Sequence, residues 1–414
     1  MNRMNEPPLV YLIAGEISGD LLGGALMASL KRKNPAIDFA GIGGQTMMAQ
    51  GLKPLFPMSD LSVMGLVEVL AHLPKLMRRI DETVADILAK NPAVVVGIDA
   101  PDFCFRVEKK IRAADPSIKL VHYVAPSVWA WRPGRAKKIA KFLDHVLALL
   151  PFEPPYFEAV RLACTFVGHP AVNLPLPAGE AVSLSPVGLR ETGDGLPTPA
   201  HESPFLMPHG ITNSPSSSGR GNNILLLPGS RKSEVTRLLP LFLDCARALV
   251  KDHPDLFFVL PTVPHVAQLV REGLAGFNLP HAVVETKSEK EIAFATARAA
   301  LAASGTVALE LALAGVPAVI SYRFSPLTGM IAHRVIRVKY ASIPNLVFDR
   351  EILPEFIQEK ATADLIVPAL AKLLTDSPER QAQISMSAEL AERLKPGGTD
   401  PSVKAAEVVL SFLK

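Results

Sequence analysis

Short apolar runs alternate with longer amphipathic stretches through the first 170 residues. The runs "LVYLIAG" (9–15), "IDFAGIG" (37–43), "AVVVGID" (93–99), "KLVHYVA" (119–125), "HVLALLP" (145–151) and "CTFVG" (164–168) predict strands. With amphipathic stretches between them, they have the pattern of a parallel sheet covered by helices. Residues 171–222 then lose both periods and become dense in Pro, Gly and Ser, which predicts an interdomain linker carrying an insertion. The alternation restarts with "NILLLPG" (223–229), "LFFVLP" (256–261), "HAVVET" (281–286), "AALAAS" (299–304) and "VPAVISY" (316–322). From about Glu351 the pattern is nearly all helical, and the closing "AAEVVLSFLK" is an apolar helix able to dock elsewhere. The expected fold class is α/β, with two doubly wound domains at 1–170 and 223–385 and helices over 386–414. Such sheets bind ligands beyond the carboxyl ends of their strands, so the two domains would place those ends around a shared cleft.

Composition and charge narrow the function classes. A chain of 414 residues exceeds what one core usually sustains, and 49% hydrophobic with 20% charged residues is ordinary globular usage. The formal net charge of +3 comes with no nucleic-acid signature, so no nucleic-acid partner is expected. Cys104, Cys164 and Cys245 match neither a disulfide framework nor a zinc spacing and read as reduced cytoplasmic thiols. His122, His145 and His169 are too widely spaced to assign as ligands, so no metal is expected. The opening "MNRMNEPPLVYLIAG" reads as a strand rather than a signal peptide. "LELALAGVPAVISY" is too interrupted to span a membrane, which leaves peripheral contact.

The loops after strands carry the candidate chemistry. "AGEISGD" lacks the G-x-G-x-x-G of a dinucleotide turn but offers Glu16 and Ser18, for which function and structure weigh evenly, and Asp20, expected as a helix cap. "LLLPGSRKSEV" sets Ser230 and Arg231 at a helix start, where an anion would meet backbone N–H groups and a guanidinium; the bland alternative pairs Arg231 with Glu234. "ASGTVALELALAG" places Ser304, Gly305 and Thr306 before a helix with no acidic residue in its first turn, a second phosphate cradle. Glu310 lies in an apolar stretch and needs polar ligand groups or a fixed partner. "APSVWAWRPGRAKK" suits a phosphate-bearing ligand or an anionic surface, with Lys137 and Lys138 as solvated helix face. Residues 63–80, apolar and then basic, are either core or a membrane-docking patch. No G-x-S-x-G or Walker A loop is present. In "GIDAPDF", Pro101 suits a helix start and Asp102 its first turn, so Asp99 at the strand end is the expected base, with Glu16 as its rival.

Taken together and in order, "AGEISGD", "MGLVEVL", "GIDAPDF", "HYVAPSVWAWR", "LPFEPPYF", "FVGHP", "LLPGSR", "ASGTVALE" and "SIPNLV" closely resemble lipid-A-disaccharide synthase, an inverting glycosyltransferase (family 19) of the GT-B type with two Rossmann-like domains. The resemblance implies transfer of 2,3-diacylglucosamine from its UDP derivative to 2,3-diacylglucosamine 1-phosphate (lipid X), giving a β-1,6-linked disaccharide phosphate and UDP with no cofactor. It implies Asp99 as general base, Arg231 on the nucleotide phosphates, and Ser304, Gly305, Thr306 and Glu310 in the UDP site. Glu16, Ser18 and Asn345 would face the cleft. It also implies a cytoplasmic enzyme, peripheral on the inner face of a Gram-negative inner membrane, and a homodimer that exchanges C-terminal segments. The family usually crosses between domains with a segment shorter than 171–222. The alternative is another UDP-sugar enzyme of GT-B architecture, a lipid-intermediate N-acetylglucosaminyltransferase or a 2-epimerase.

Overall fold

A computed structural model describes residues 7–61, 66–130, 134–173, 221–324 and 338–413, with backbone alone at 66–72. Most of the 171–222 insertion, Trp131 and Arg132, and the start of the 63–80 stretch lie outside these residues. The chain divides into two compact units, one of Met1–Leu174, Phe324–Glu351 and Ser385–Lys414, the other of Pro175–Arg323 and Ile352–Ile384. The described residues of 324–351, which the sequence pattern joins to the second domain, group with the first unit.

In the first unit, strands β1 (Leu9–Ala14), β2 (Asp38–Ile42), β3 (Val94–Ile98), β4 (Lys119–Tyr123), β5 (His145–Ala148) and β6 (Ala163–Phe166) form one sheet in the order β2-β1-β3-β4-β5-β6. Its pairings are parallel. Helices α1 (Ile17–Lys33), α2 (Gln45–Ala49), α3 (Leu66–Lys90), α4 (Pro101–Ala114), α5 (Gly134–Ile139) and α6 (Pro154–Glu158) connect the strands. In the second unit, β7 (Asn223–Leu227), β8 (Phe257–Pro261), β9 (His281–Val284), β10 (Ala297–Ala303), β11 (Ala318–Tyr322) and β12 (Glu355–Ile357) form a parallel sheet ordered β12-β11-β10-β7-β8-β9. Its helices are α7 (Lys232–Leu249), α8 (Pro264–Gly273), α9 (Lys287–Thr296) and α10 (Thr306–Leu313). After them come α11 (Ile343–Phe348), α12 (Ala363–Lys372), α13 (Pro378–Arg393) and α14 (Pro401–Ser411).

The eleven apolar runs all form strands, because five-residue stretches such as Val94–Ile98 are buried on both faces. The stretch after Glu351 is not helical throughout: β12 adds a three-residue edge strand there, pairing Ile320 with Glu355 and Tyr322 with Ile357. Each sheet reverses its winding direction once, between β1 and β3 in the first unit and between β7 and β10 in the second. At such a reversal the loops on the carboxyl side diverge and open a crevice for ligands.

The final helix belongs to the first unit. On α14, Ala405, Ala406 and Val409 share a core cluster with Leu26, Met27 and Leu30 of α1. Ser29 and Ser402 hydroxyls meet at 2.8 Å, and Lys33 pairs with Glu407 at 3.1 Å. In the described part of 63–80, Lys75 and Arg79 are tied to Asp60, and the Arg79 guanidinium lies 4.3 Å from the Phe56 ring centroid. Lys137 and Lys138 are exposed, as expected of a solvated face.

Asp20 is a cap, but not of its own helix. Its buried carboxylate accepts from the backbone N–H of Gly44 (2.7 Å), Thr46 (2.8 Å) and Met47 (3.1 Å), so it closes the amino end of α2 and staples α2 to α1. Asp20→Ala strands those donors and is expected to cost about 1–3 kcal/mol. Thermal unfolding of the variant should show a lowered first transition; an unshifted curve would contradict the cap.

Candidate active site

In the first unit the site grows from the turn that ends β3. Asp99 (φ 54°) and Ala100 (φ 39°) both take left-handed backbone before Pro101 opens α4. Each non-glycine residue held there costs about 1–3 kcal/mol and persists only where its surroundings fix it. Here Asp99 N–H donates to Tyr123 O at 2.9 Å, and the opposing β1–α1 turn presses in. A Cβ on Gly15 would stand 2.9 Å from the Ala100 Cβ, so only glycine allows that approach.

The result is a contact across the switch point: Ser18 Oγ donates to Asp99 Oδ2 at 2.8 Å. One carboxylate oxygen is thereby held and the orientation of the other is set. Glu16, at the N-cap of α1, has an exposed side chain that makes no cap bond, and it lies in the same turn. Asp102 occupies the first turn of α4 with its side chain 98% exposed, 3.6 Å from Arg135, as expected of a helix-start acid.

A further carboxylate at this edge of the sheet comes from "LPFEPPYF", a stretch to which the sequence pattern gives no role. Glu153 is buried, accepts from Trp129 Nε1 at 3.1 Å and from Leu150 N–H at 3.0 Å, and so ties the loop after β4 to the loop after β5. Trp129 also packs edge-on against Phe152, with ring centroids 5.2 Å apart. Burial pushes the Glu153 carboxyl up to about 7, against the pull of these donors.

The second unit presents two helix starts at its own switch point. In the loop after β7, Gly229 (φ 113°) turns the chain so that the Glu234 carboxylate folds back over the start of α7. Glu234 Oε2 accepts from the N–H groups of Ser230 (3.2 Å) and Arg231 (3.3 Å), while Oε1 accepts from Arg231 Nη1 and from the Tyr322 hydroxyl, both at 3.1 Å. The backbone donors expected to receive an anion are therefore already occupied by a resident carboxylate. Arg231 is 77% exposed, so its guanidinium is the group this turn offers to a ligand.

The loop after the adjacent β10 is different. Gly305 is the N-cap of α10 with no side-chain cap bond, no acid stands in the first turn, and Gly305 and Thr306 are exposed. Its partial positive charge is thus the better anion site of the two. Glu310 has a fixed partner: Lys290 Nζ donates to its Oε2 at 2.6 Å. Asn345, which the resemblance has facing the cleft, is fully buried on α11. Asp99, Ser18 and Glu16 are thus brought together in one unit, and Arg231, Ser230, Ser304, Gly305 and Thr306 in the other. Among the described residues no cluster of three His, Cys, Asp or Glu could hold a metal ion, and no helix is long and apolar enough to cross a membrane.

A family model described as lipid-A-disaccharide synthetase matches residues 10–177 and 220–409. The chain belongs to this family. It is 48% identical over 409 residues to a lipid-A-disaccharide synthase of Rhodospirillum centenum, covering 99% of this chain and 95% of the relative. It is 44% identical over 412 residues to one of Ruegeria pomeroyi, covering 98% and 95%. Among solved structures, UDP-GlcNAc 2-epimerase from Neisseria meningitidis bound to UDP-GlcNAc matches with a TM-score of 0.60 at 11% identity, covering 98% of this chain and 99% of that one. Acinetobacter baumannii MurG matches at 0.55 and 13%, covering 98% and 100%. The two parallel sheets of this chain and these neighbours agree on two Rossmann-like domains of GT-B type.

Glu153 gives a pH-dependent expectation. Its folded value lies above the ordinary 4.5, so its contribution to stability is complete below that pH and is lost as pH rises through about 7. Glu153→Gln removes this titration, and its melting temperature relative to the parent should climb between pH 5 and pH 8. A constant difference across that range would contradict the burial of an ionisable group there.

Proposed function

We propose that this protein is a lipid-A-disaccharide synthase: it transfers 2,3-diacylglucosamine from UDP-2,3-diacylglucosamine to 2,3-diacylglucosamine 1-phosphate, with inversion. The observation that carries the mechanism is the Ser18–Asp99 hydrogen bond at the switch point of the first sheet. A carboxylate held in one orientation is what a single displacement needs for its base. Asp99 takes the proton of the acceptor hydroxyl as that oxygen attacks the anomeric carbon. The bond from that carbon to the diphosphate oxygen breaks, and its electron pair leaves with UDP. Arg231 and the start of α10 supply positive charge to the departing diphosphate. Glu16, on the same turn as Ser18, is the alternative base. Catalysis at the inner face of an inner membrane, by peripheral attachment to its anionic surface, and exchange of C-terminal segments in a homodimer extend the same proposal.

Asp99→Asn should lower turnover of the two acylated substrates by about 10²–10⁴-fold. Calorimetry should meanwhile find UDP binding near that of the parent; retained turnover removes Asp99 as base. Arg231→Ala should weaken UDP binding by about ten- to a hundred-fold, the loss of a charged hydrogen bond. An unaltered isotherm would count against the phosphate role. Use of UDP-N-acetylglucosamine in place of acylated substrates would overturn the substrate class.

A further inference from the structure

Two buried polar side chains of the first unit have no part in the chemistry above. Glu108 on α4 and His122 on β4 are both fully buried, and Glu108 Oε1 lies 3.1 Å from His122 Nδ1. Glu108 falls on the stripe of α4 that also carries Phe103, Cys104, Val107 and Ile111, where an apolar side chain would be expected. A buried carboxylate and imidazole cost several kcal/mol unless paired, and a well-packed apolar pair is often at least as stable. Glu108 Oε2 and His122 Nε2 have no hydrogen-bond partner among the described residues, so even the pair is incompletely satisfied. Stability alone is therefore a poor account of it.

Its position supplies another. Gly97 of β3 pairs in register with His122 of β4, and a Cβ on Gly97 would stand 2.2 Å from Glu108 Oε1 and 3.1 Å from His122 Nδ1. The strand thus leaves out a side chain where the pair needs room. Gly97 comes two residues before Asp99, and α4 begins two residues after it. The Phe105 ring lies over His122 with centroids 4.5 Å apart, adding a second link between α4 and β4. Cys104, on the first turns of α4, is pushed up by burial and then by the carboxylates of Glu108 and Asp99.

We propose that Glu108 and His122 are positioning residues that fasten the strand entering the Asp99–Ala100 turn to the helix leaving it, and so hold the carboxylate of Asp99 in its working orientation. This rests on Asp99 as base. A displacement of about 1 Å at a reacting group can cost 10²-fold in rate, so loss of the clamp should lower kcat by about ten-fold or more.

Glu108→Leu removes the clamp while filling the space, and Glu108→Gln keeps an acceptor for His122 Nδ1–H. At a temperature where near-ultraviolet circular dichroism shows each variant folded, Glu108→Leu should lose kcat while KM for the UDP-sugar donor changes less than about two-fold. Glu108→Gln should recover most of the loss. Equal kcat in Glu108→Leu and parent, or a loss that Glu108→Gln shares in full, would overturn the proposal. If Glu108→Leu does not fold, Glu108→Asp, shorter by one methylene, decides by the same criterion. Asp99→Asn measured alongside separates the two ideas. Active Asp99→Asn sinks the base, whereas inactive Asp99→Asn with a normal Glu108→Leu sinks only the clamp.

Discussion

The structure of the first unit depends on one close approach, that of the β1–α1 turn to the β3–α4 turn. Two consecutive left-handed residues, Asp99 and Ala100, are unfavourable on their own. They are tolerated because the strand on one side, the helix on the other and Gly15 opposite leave little alternative path. The same approach brings the Ser18 hydroxyl to Asp99. Strain in the backbone and orientation of the carboxylate are therefore one feature, and any side chain at Gly15 would disturb both.

The second unit solves a different problem with the same architecture. Two helix starts flank its switch point, and both would attract anions by their dipoles. Glu234 neutralises one of them, leaving α10 with its exposed N-cap and Arg231 with its exposed guanidinium. One helix dipole is used inside the protein and the other remains for a ligand. An approaching anion therefore meets one open helix start instead of two equivalent ones.

Much of this was legible in the sequence wherever the deciding interaction is local. Eleven strands announced themselves as short apolar runs, central ones such as β3 being buried on both faces, whereas β12, three residues with Glu355 at its start, has too little apolar character to stand out. Pro101 and Asp102 marked the start of α4 by position alone. Glu234, three residues after the N-cap Arg231, is spaced as a capping-box acid, so its claim on the α7 donors could have been read from the chain. Asp20 capping α2 across 24 residues and Lys290 meeting Glu310 across 20 could not, because folding creates those contacts. The same holds for Ser18 and Asp99, 81 residues apart, where sequence supplied the participants and the fold supplied the bond.

The docking of α14 on α1 has a consequence for biosynthesis. The first helix of the chain carries Ser18, yet its inner face, Leu26, Met27 and Leu30, is completed by Ala405, Ala406 and Val409. During translation that seam emerges long before the segment that covers it. Contacts of such long sequence separation form slowly, and uncovered apolar surface invites aggregation in the interval. A stop codon ahead of α14 would leave that surface without the helix that covers it.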